Sequence, residues 1–221
     1  MRTALMRDRG FTVLEILIAV FILATALSTV YGAYTGTLRI ARDSDATGAI
    51  YAMARGTMTR ITQDLEAICP CEGTFTFVCS ETGYLEAETG GVHFLSRAHI
   101  DFKDERSAGI AAITYTIEEG DYESDLRLLR RDELYRPVPG DDNESTAPAY
   151  CLCRGLSEVG FLFYDGDGTE YEQWDSASDN PAQTDRAPAA VAITLTFTNA
   201  EDGETPYIFM TRVSSPMVRG L

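Results

Sequence analysis

The stretch GFTVLEILIAVFILATALSTV, residues 10–30, decides the fold of this 221-residue chain. From Phe11 to Val30 it contains a single ionisable residue, Glu15. An apolar run of about 20 residues is long enough to cross the hydrocarbon core of a membrane as a helix. A carboxylate inside such a run is costly, so Glu15 calls for a functional explanation. The sequence therefore predicts a membrane-spanning helix with a functional acidic residue near its start.

The ten residues before Phe11, MRTALMRDRG, form a positively charged leader in which three arginines face one aspartate. Because positive flanks stay on the cytoplasmic side, the chain behind the helix is expected to face outward. A secretory signal peptide would have only about 7–15 apolar residues and a small-x-small cleavage site, and this run is longer and has no clear site of that kind. A plain signal anchor fits the length but leaves Glu15 unexplained.

The motif GFTVLE, residues 10–15, and the apolar run behind it closely resemble the processing and assembly motif of type IV pilins and type II secretion pseudopilins. The resemblance implies that a prepilin peptidase cleaves between Gly10 and Phe11 and that Phe11, the new N-terminus, is methylated. It also implies that Glu15 pairs with the terminal amine of a neighbouring subunit during assembly. Such a pair is physically sound, because each charge needs a partner in a medium of low dielectric constant.

Behind the membrane run, apolar residues recur at three- and four-residue steps, which is the pattern of one helix face. These residues are Ile50, Met53, Ala54, Thr57, Met58, Ile61, Leu65 and Ile68, with Arg55, Arg60, Asp64 and Glu66 between them. No proline occurs before Pro70, so one helix from Phe11 to about Leu65 is predicted, roughly 80 Å long. We expect it to bend or melt locally at Gly32 and Gly36.

From Gly73 onward, short alternating runs separated by turn residues predict β-strands. The predicted strands are 74–78, 91–95, 110–117, 126–129, 159–164, 191–198 and 208–213, with mobile loops at 137–148 and 175–188. The predicted fold is α+β, a long and partly transmembrane N-terminal α-helix packed on an antiparallel β-sheet, as in pilins and pseudopilins. The predicted organisation is a prepilin leader (1–10), a transmembrane and assembly segment (11–30), an amphipathic half of the helix (31–68) and a globular β-rich domain (69–221).

Five C-terminal segments follow the order found in the J-type minor pseudopilin of type II secretion systems. They are ITY from residue 113, LLRR from 128, GFLFYDGDG from 160, Trp174, and APAAVAITLTF from 187. The resemblance implies a structural protein, not an enzyme, in a tip complex that primes a fibre for protein export across the outer membrane. The implied partners are other minor pseudopilins, the major pseudopilin, the prepilin peptidase and the inner-membrane assembly platform.

The same resemblance implies a single-pass protein of the bacterial inner membrane with its globular domain in the periplasm. The alternatives are a minor pilin of a type IV pilus and a pilin-anchored envelope binding module. The chain has 34 acidic and 18 basic residues, and removal of the leader changes the net charge from −16 to −18. This charge excludes nucleic-acid binding through a basic surface and disfavours adhesion to anionic lipid.

The five cysteines are Cys69, Cys71, Cys79, Cys151 and Cys153. In an oxidising compartment we expect disulfides that run between the two Cys-x-Cys pairs or to Cys79, because neighbours within one pair rarely bond each other. A four-thiolate zinc site is the alternative, but structural zinc sites usually space their cysteines by two to four residues. The number is odd, so at least one thiol is free or joins another chain.

Two further motifs have ordinary structural interpretations. Asp165 and Asp167 in the run Asp-Gly-Asp-Gly are candidate Ca²⁺ ligands, but the spaced ligand run of an EF-hand is missing and we favour a glycine turn. Trp174 is expected to anchor the domain, with a subunit contact as the alternative. No nucleophile, phosphate loop or dinucleotide motif is present, so neither a catalytic residue nor a cofactor is predicted.

Overall fold

The computed structural model contains one α-helix and nine β-strands in the residues that it describes. The described residues are 11–80, 84–85, 91–100, 109–120, 125–135, 147–199 and 206–215. The helix is α1 (Val13–Glu66). The strands are β1 (Phe77–Cys79), β2 (Gly91–Ser96), β3 (Ala111–Glu119), β4 (Leu126–Leu134), β5 (Tyr150–Tyr164), β6 (Glu170–Tyr171), β7 (Trp174–Asp175), β8 (Ala190–Phe197) and β9 (Tyr207–Ser214).

Helix α1 confirms the prediction of one continuous helix, since its 54 residues end one residue from the predicted position. The local melting predicted at Gly32 and Gly36 is not found, because the helix runs through both residues. The Thr35 hydroxyl donates to the carbonyl oxygens of Tyr31 and Gly32, at 3.0 and 3.1 Å. These bonds satisfy the hydroxyl inside the helix, and such bonding to the preceding turn often bends a helix slightly without breaking it.

The chain divides into two compact units between Ala49 and Ile50. The described part of the first unit is α1 up to Ala49, and none of its residues is buried. In the second unit, α1 buries Ala54, Ile61 and Leu65 in the same core as the strands. The unit boundary therefore falls inside the segment 31–68 that was predicted as the amphipathic half of the helix.

The sheet is antiparallel, with the order β7-β1-β2-β3-β4-β5-β8-β9 and with β6 paired to β5. Each of the seven predicted strands overlaps an observed one, and the predicted hairpin is the β3–β4 pair. Strand β5 starts at Tyr150, nine residues before its predicted start. Its first half is irregular, because Gly155 has a φ of +75° and the β4–β5 register shifts twice. The predicted α+β fold is confirmed.

Trp174 anchors the domain, as predicted, and is only 1% exposed. Its ring packs against Tyr171 and Phe163, and its Nε1–H donates to the Arg186 carbonyl at 2.9 Å. A buried ring with a satisfied N–H is the usual state of a core tryptophan. The alternative, that Trp174 contacts another subunit, is wrong because the side chain has no exposed face.

The segment 175–188 forms compact turns rather than the open loop that its composition predicted. The Gln183 and Thr184 N–H groups both donate to the Asn180 carbonyl at 2.8 Å. The Gln183 side chain is buried and accepts the Asp175 N–H at 3.1 Å. These bonds satisfy the backbone polar groups that an open loop would leave to water. Of the other predicted loop, 137–148, residues 137–146 lie outside the described residues.

Candidate functional site

Glu15 lies in the first turn of α1 and caps the helix that carries it. Its Oε2 accepts the Thr12 N–H at 3.1 Å and the Thr12 hydroxyl at 3.2 Å. In return, the Glu15 N–H donates to the Thr12 Oγ1 at 3.3 Å. This reciprocal arrangement is a capping box, in which Thr12 is the N-cap and Glu15 is the third helical residue. The signal, Thr-x-x-Glu before an apolar run, is present in the sequence but went unused in the prediction.

The apolar side chains around Glu15 contact little else in the chain. Phe11 is 84% exposed, and the large apolar residues up to Val30 are all exposed. Among the described residues, α1 is long and apolar enough to cross a membrane. Gly10, the predicted cleavage residue, lies outside the described residues, whereas Phe11 and Glu15 lie at the start of the same exposed helix. A helix that is apolar on all sides needs a membrane or other subunits to cover it.

A buried polar cluster joins the far end of α1 to the sheet. Asp64 and Arg130 are both fully buried, and they meet through two hydrogen bonds, Nε to Oδ2 at 2.6 Å and Nη2 to Oδ1 at 3.1 Å. Tyr115 donates its hydroxyl to Asp64 Oδ2, and Arg60 donates to Oδ1. The sequence pattern had placed Asp64 among polar residues between the apolar helix positions, so its complete burial is a correction.

Every N–H of the Arg130 guanidinium has an acceptor. Besides Asp64, these acceptors are Asp132 at 2.7 Å, the Tyr150 hydroxyl and the Ala98 carbonyl at 3.3 Å. A buried ion pair is tolerated when its remaining donors and acceptors are satisfied, and this one meets that condition. The cluster therefore fixes α1 to β3, β4, the start of β5 and the segment after β2.

The cluster also sets the charge state of its members. Burial opposes the charged form of Arg130, but the bonds and charge of Asp64 and Asp132 outweigh it and raise the pKa. Burial likewise disfavours ionised Asp132, yet hydrogen bonds from His99, the Ile100 N–H and Arg130 lower its pKa below the usual value. Burial and the Asp64 carboxylate raise the pKa of Tyr115 well above its ordinary value. Tyr115 therefore stays a hydroxyl donor to a charged pair.

Comparison with known families decides between the classes that fit this geometry. The sequence model described as type II secretion system (T2SS), protein J, matches residues 32–209. The prokaryotic N-terminal methylation motif matches residues 5–31, which include Gly10, Phe11 and Glu15. The chain belongs to the type II secretion protein J family. A search of the curated proteins finds no match to this J-type minor pseudopilin.

Family membership fits the anchor and the body of this minor pseudopilin. The apolar helix and the family together indicate a membrane-anchored protein of the secretion machinery rather than a pilus subunit. The family is one of structural pseudopilins. The buried cluster around Asp64 is accordingly a structural feature of the body, and Glu15 is the candidate functional residue.

All five cysteines of the pseudopilin lie in described residues, and no disulfide joins them there, so the predicted disulfides are not shown and their formation stays a prediction. Cys151 is exposed and Cys153 is buried in the core shared with α1. Residues two apart in a regular strand would share a face, and the β4–β5 register shift between their partners breaks that pattern. Burial raises the pKa of the Cys153 thiol to about 12. Within the described residues, no group of three or more His, Cys, Asp or Glu side chains is placed to hold a metal ion.

We expect Cys151 to react with a maleimide at neutral pH in the folded protein, while Cys153 reacts about a thousandfold more slowly. Only the thiolate is reactive, and burial both raises the pKa of Cys153 and blocks access. Mass spectrometry of labelled peptides, before and after addition of urea, measures both rates. Equal labelling of the two residues would contradict the structure. Failure of Cys151 to label in urea until a reductant is added would instead reveal a disulfide.

The run from Asp165 to Gly168 forms the turn that joins β5 to β6, as favoured from the sequence. The Asp165 Oδ1 accepts the N–H groups of Asp167 and Thr169, at 3.0 and 2.8 Å. Gly168 has a φ of +85°, a conformation that glycine adopts easily. The Asp165 carboxylate is thus used by the turn itself, and Ca²⁺ binding by Asp165 and Asp167 has no support from this geometry.

Proposed function

We propose that this minor pseudopilin is part of a tip complex that primes assembly of the pseudopilus, the fibre used for protein export across the outer membrane. The observation that carries the proposal is the exposed apolar helix with Glu15 in its first turn. Such a helix is stable in a membrane, and other apolar helices can replace the lipid around it. The chain then acts by association and performs no chemistry of its own.

Processing comes before assembly in this proposal. Prepilin peptidase cleaves between Gly10 and Phe11, and methylation of Phe11 follows. Cleavage leaves a terminal amine four residues before Glu15, so each subunit carries one amine and one carboxylate near the start of α1. Pairing the amine of one subunit with Glu15 of the next satisfies two charges that the membrane disfavours. The capping bonds from Thr12 hold the Glu15 carboxylate until that pairing occurs.

The proposed location is the bacterial inner membrane, crossed once, with the globular body in the periplasm. The basic leader supports this orientation, since its arginines belong on the cytoplasmic side. The proposed partners are other minor pseudopilins and the major pseudopilin, together with the prepilin peptidase and the inner-membrane assembly platform. Two of these, the peptidase and the platform, act on the chain only during its maturation and assembly.

Co-purification of the full-length chain tests this function. A C-terminal tag is placed on the chromosomal copy, envelopes are dissolved in mild detergent, and retained proteins are quantified by mass spectrometry. We expect small proteins with a similar Phe-Thr-x-x-Glu start, together with components of the secretion machine. A matched control is a chain with the same tag and without residues 11–49, which should retain far less. Recovery of pilus subunits only, or equal recovery in both samples, would contradict the proposal.

A further inference from the structure

The side-chain chemistry of α1 changes in a fixed order along residues 11–49, which are the described part of the first compact unit. The order is an apolar run (11–30), a tyrosine pair (Tyr31 and Tyr34), an arginine pair (Arg39 and Arg42) and an aspartate pair (Asp43 and Asp45). Residues 11–49 contain no other tyrosine and no other basic residue. Beyond the apolar run, the helix thus passes from amphipathic through basic to acidic side chains within about four turns.

The tyrosines and arginines of this stretch are turned outward. Tyr31 is 69% exposed and Tyr34 is 61% exposed. Arg39 and Arg42 are also exposed, and neither forms an ion pair with any described residue. Two exposed rings followed by two exposed guanidinium groups, directly after a run long enough to span a membrane, are the side chains that favour a membrane–water interface.

The distances along the helix match the layers of a bilayer. At a rise of about 1.5 Å per residue, Tyr31 lies about 30 Å from Phe11, which is the thickness of the hydrocarbon core. Tyr34 lies about 34 Å and Arg39 about 42 Å from Phe11, so they follow at the level of the headgroups and just beyond it. A long arginine side chain can reach back several ångströms to the headgroups while its backbone stays in water.

We propose that residues 31–42, here called the interfacial segment, bind the phospholipid headgroups of the periplasmic leaflet of the inner membrane. The two tyrosine rings lie at the hydrocarbon boundary, and Arg39 binds lipid phosphates, which match the planar guanidinium. The two aspartates that follow are repelled by the phosphates, so they oppose deeper insertion of the helix. The negative charge of the whole chain disfavours broad adhesion to anionic lipid, which confines the attraction to this segment.

The interfacial segment sets the depth of the assembly residue. Glu15 lies 16 residues before Tyr31, which is about 24 Å of helix. Holding the tyrosines at the periplasmic boundary therefore holds Glu15 about 6 Å inside the cytoplasmic boundary. Each anchored subunit would then present its carboxylate at the same level to the terminal amine of a neighbour. The inference rests on the proposed location and orientation.

Photo-cross-linking to lipid tests the depth of the helix. A photoreactive benzophenone amino acid replaces Leu23, Tyr34 or Ala46, one at a time, in the full-length chain, which is placed in vesicles of equal parts phosphatidylcholine and phosphatidylglycerol. Leu23 lies within the apolar run, and Ala46 is an exposed residue about 18 Å beyond Tyr34. Mass spectrometry counts the lipid adducts. We expect adducts from positions 23 and 34 and at least about tenfold fewer from position 46.

The three positions separate the inference from the location on which it rests. Adducts from position 23 with none from position 34, or equal adducts from positions 34 and 46, would overturn the proposed depth and leave the membrane anchor intact. An absence of adducts at position 23 would show that the helix does not lie in the membrane, and the proposed location would fail as well.

A charge variant tests the binding of headgroups by Arg39. With the photoreactive group at position 34, Arg39→Gln is expected to lower the ratio of phosphatidylglycerol to phosphatidylcholine adducts about fivefold, because a basic residue at the surface attracts anionic lipid. The matched control, Arg55→Gln, removes the same charge from an exposed residue further along α1 and should leave the ratio unchanged. An unchanged ratio in Arg39→Gln, or an equal fall in both variants, would overturn the role of Arg39.

Discussion

The Glu15→Ala variant is expected to enter the membrane and lose its leader normally, yet to retain at least about tenfold less of the other pseudopilins on co-purification. The substitution removes the carboxylate proposed to pair with a neighbour's terminal amine, and an amine left unpaired in an apolar environment is strongly disfavoured. Leader removal is read from the mass of the purified chain. Partner recovery is read by quantitative mass spectrometry of the detergent extract.

Two matched variants separate the charge of Glu15 from its capping role. Glu15→Gln keeps an oxygen that can accept the Thr12 N–H but removes the charge, so it should fail in assembly like Glu15→Ala. Thr12→Ala removes the hydroxyl partner and leaves the carboxylate, so it should assemble more nearly like the unmodified chain. If Glu15→Gln assembles normally and Thr12→Ala does not, capping rather than charge pairing explains the role of Glu15.

A variant of the cleavage residue checks the processing step separately. Gly10→Glu should keep the leader attached, so its mass stays that of the full precursor and no new terminal amine forms. Its assembly defect would then arise without any change at Glu15.

The Asp64→Ala variant is expected to lower the free energy of unfolding by about 3–5 kcal/mol. It leaves the guanidinium of Arg130, which is fully buried, without its two bonds to Asp64. Trp174 is the only tryptophan and lies in the core, so its fluorescence reports unfolding of the body in urea. The measurement uses the full-length chain in detergent micelles.

Two controls make the stability test specific. Glu66→Ala removes a carboxylate from an exposed position two residues further along α1, and it should change stability by no more than about 0.5 kcal/mol. The double variant Asp64→Leu with Arg130→Met should recover much of the loss, because an apolar pair of similar volume removes the unpaired charge. Equal stability of Asp64→Ala and the unmodified chain would show that the pair is not buried as described.

The sequence predicted the elements of the fold better than the contacts between them. Helix α1 followed from the absence of proline before Pro70, and strands such as β8 followed from clean alternation of large and small residues. The first half of β5 escaped prediction because Gly155 and the register shifts break its alternation. Strands β6 and β7 are too short to produce a periodic pattern at all.

The buried cluster was out of reach for a different reason. Asp64 has the spacing of a polar helix position, and charged residues are rarely fully buried without a partner. Its partner, Arg130, is 66 residues away in a strand whose inner face reads Leu128, Arg130 and Asp132. The pairing of β4 with β3 brings Arg130 opposite Tyr115. Only this pairing shows that the inward-facing charged side chains of β4 meet the Asp64 carboxylate of the helix. Glu15 could be found because its signal is local.

The Asp64–Arg130 pair also has a mechanical consequence, because it ties α1 directly to β4. Apart from this pair and the core contacts, the covalent route from α1 into the sheet is the segment between Glu66 and Phe77. The two parallel bonds of a guanidinium to a carboxylate resist sliding as well as separation. Force applied along the helix would therefore spread sideways into β3 and β4. The part of α1 that belongs to the body, from Ile50 to Glu66, would then stay attached to these strands under load.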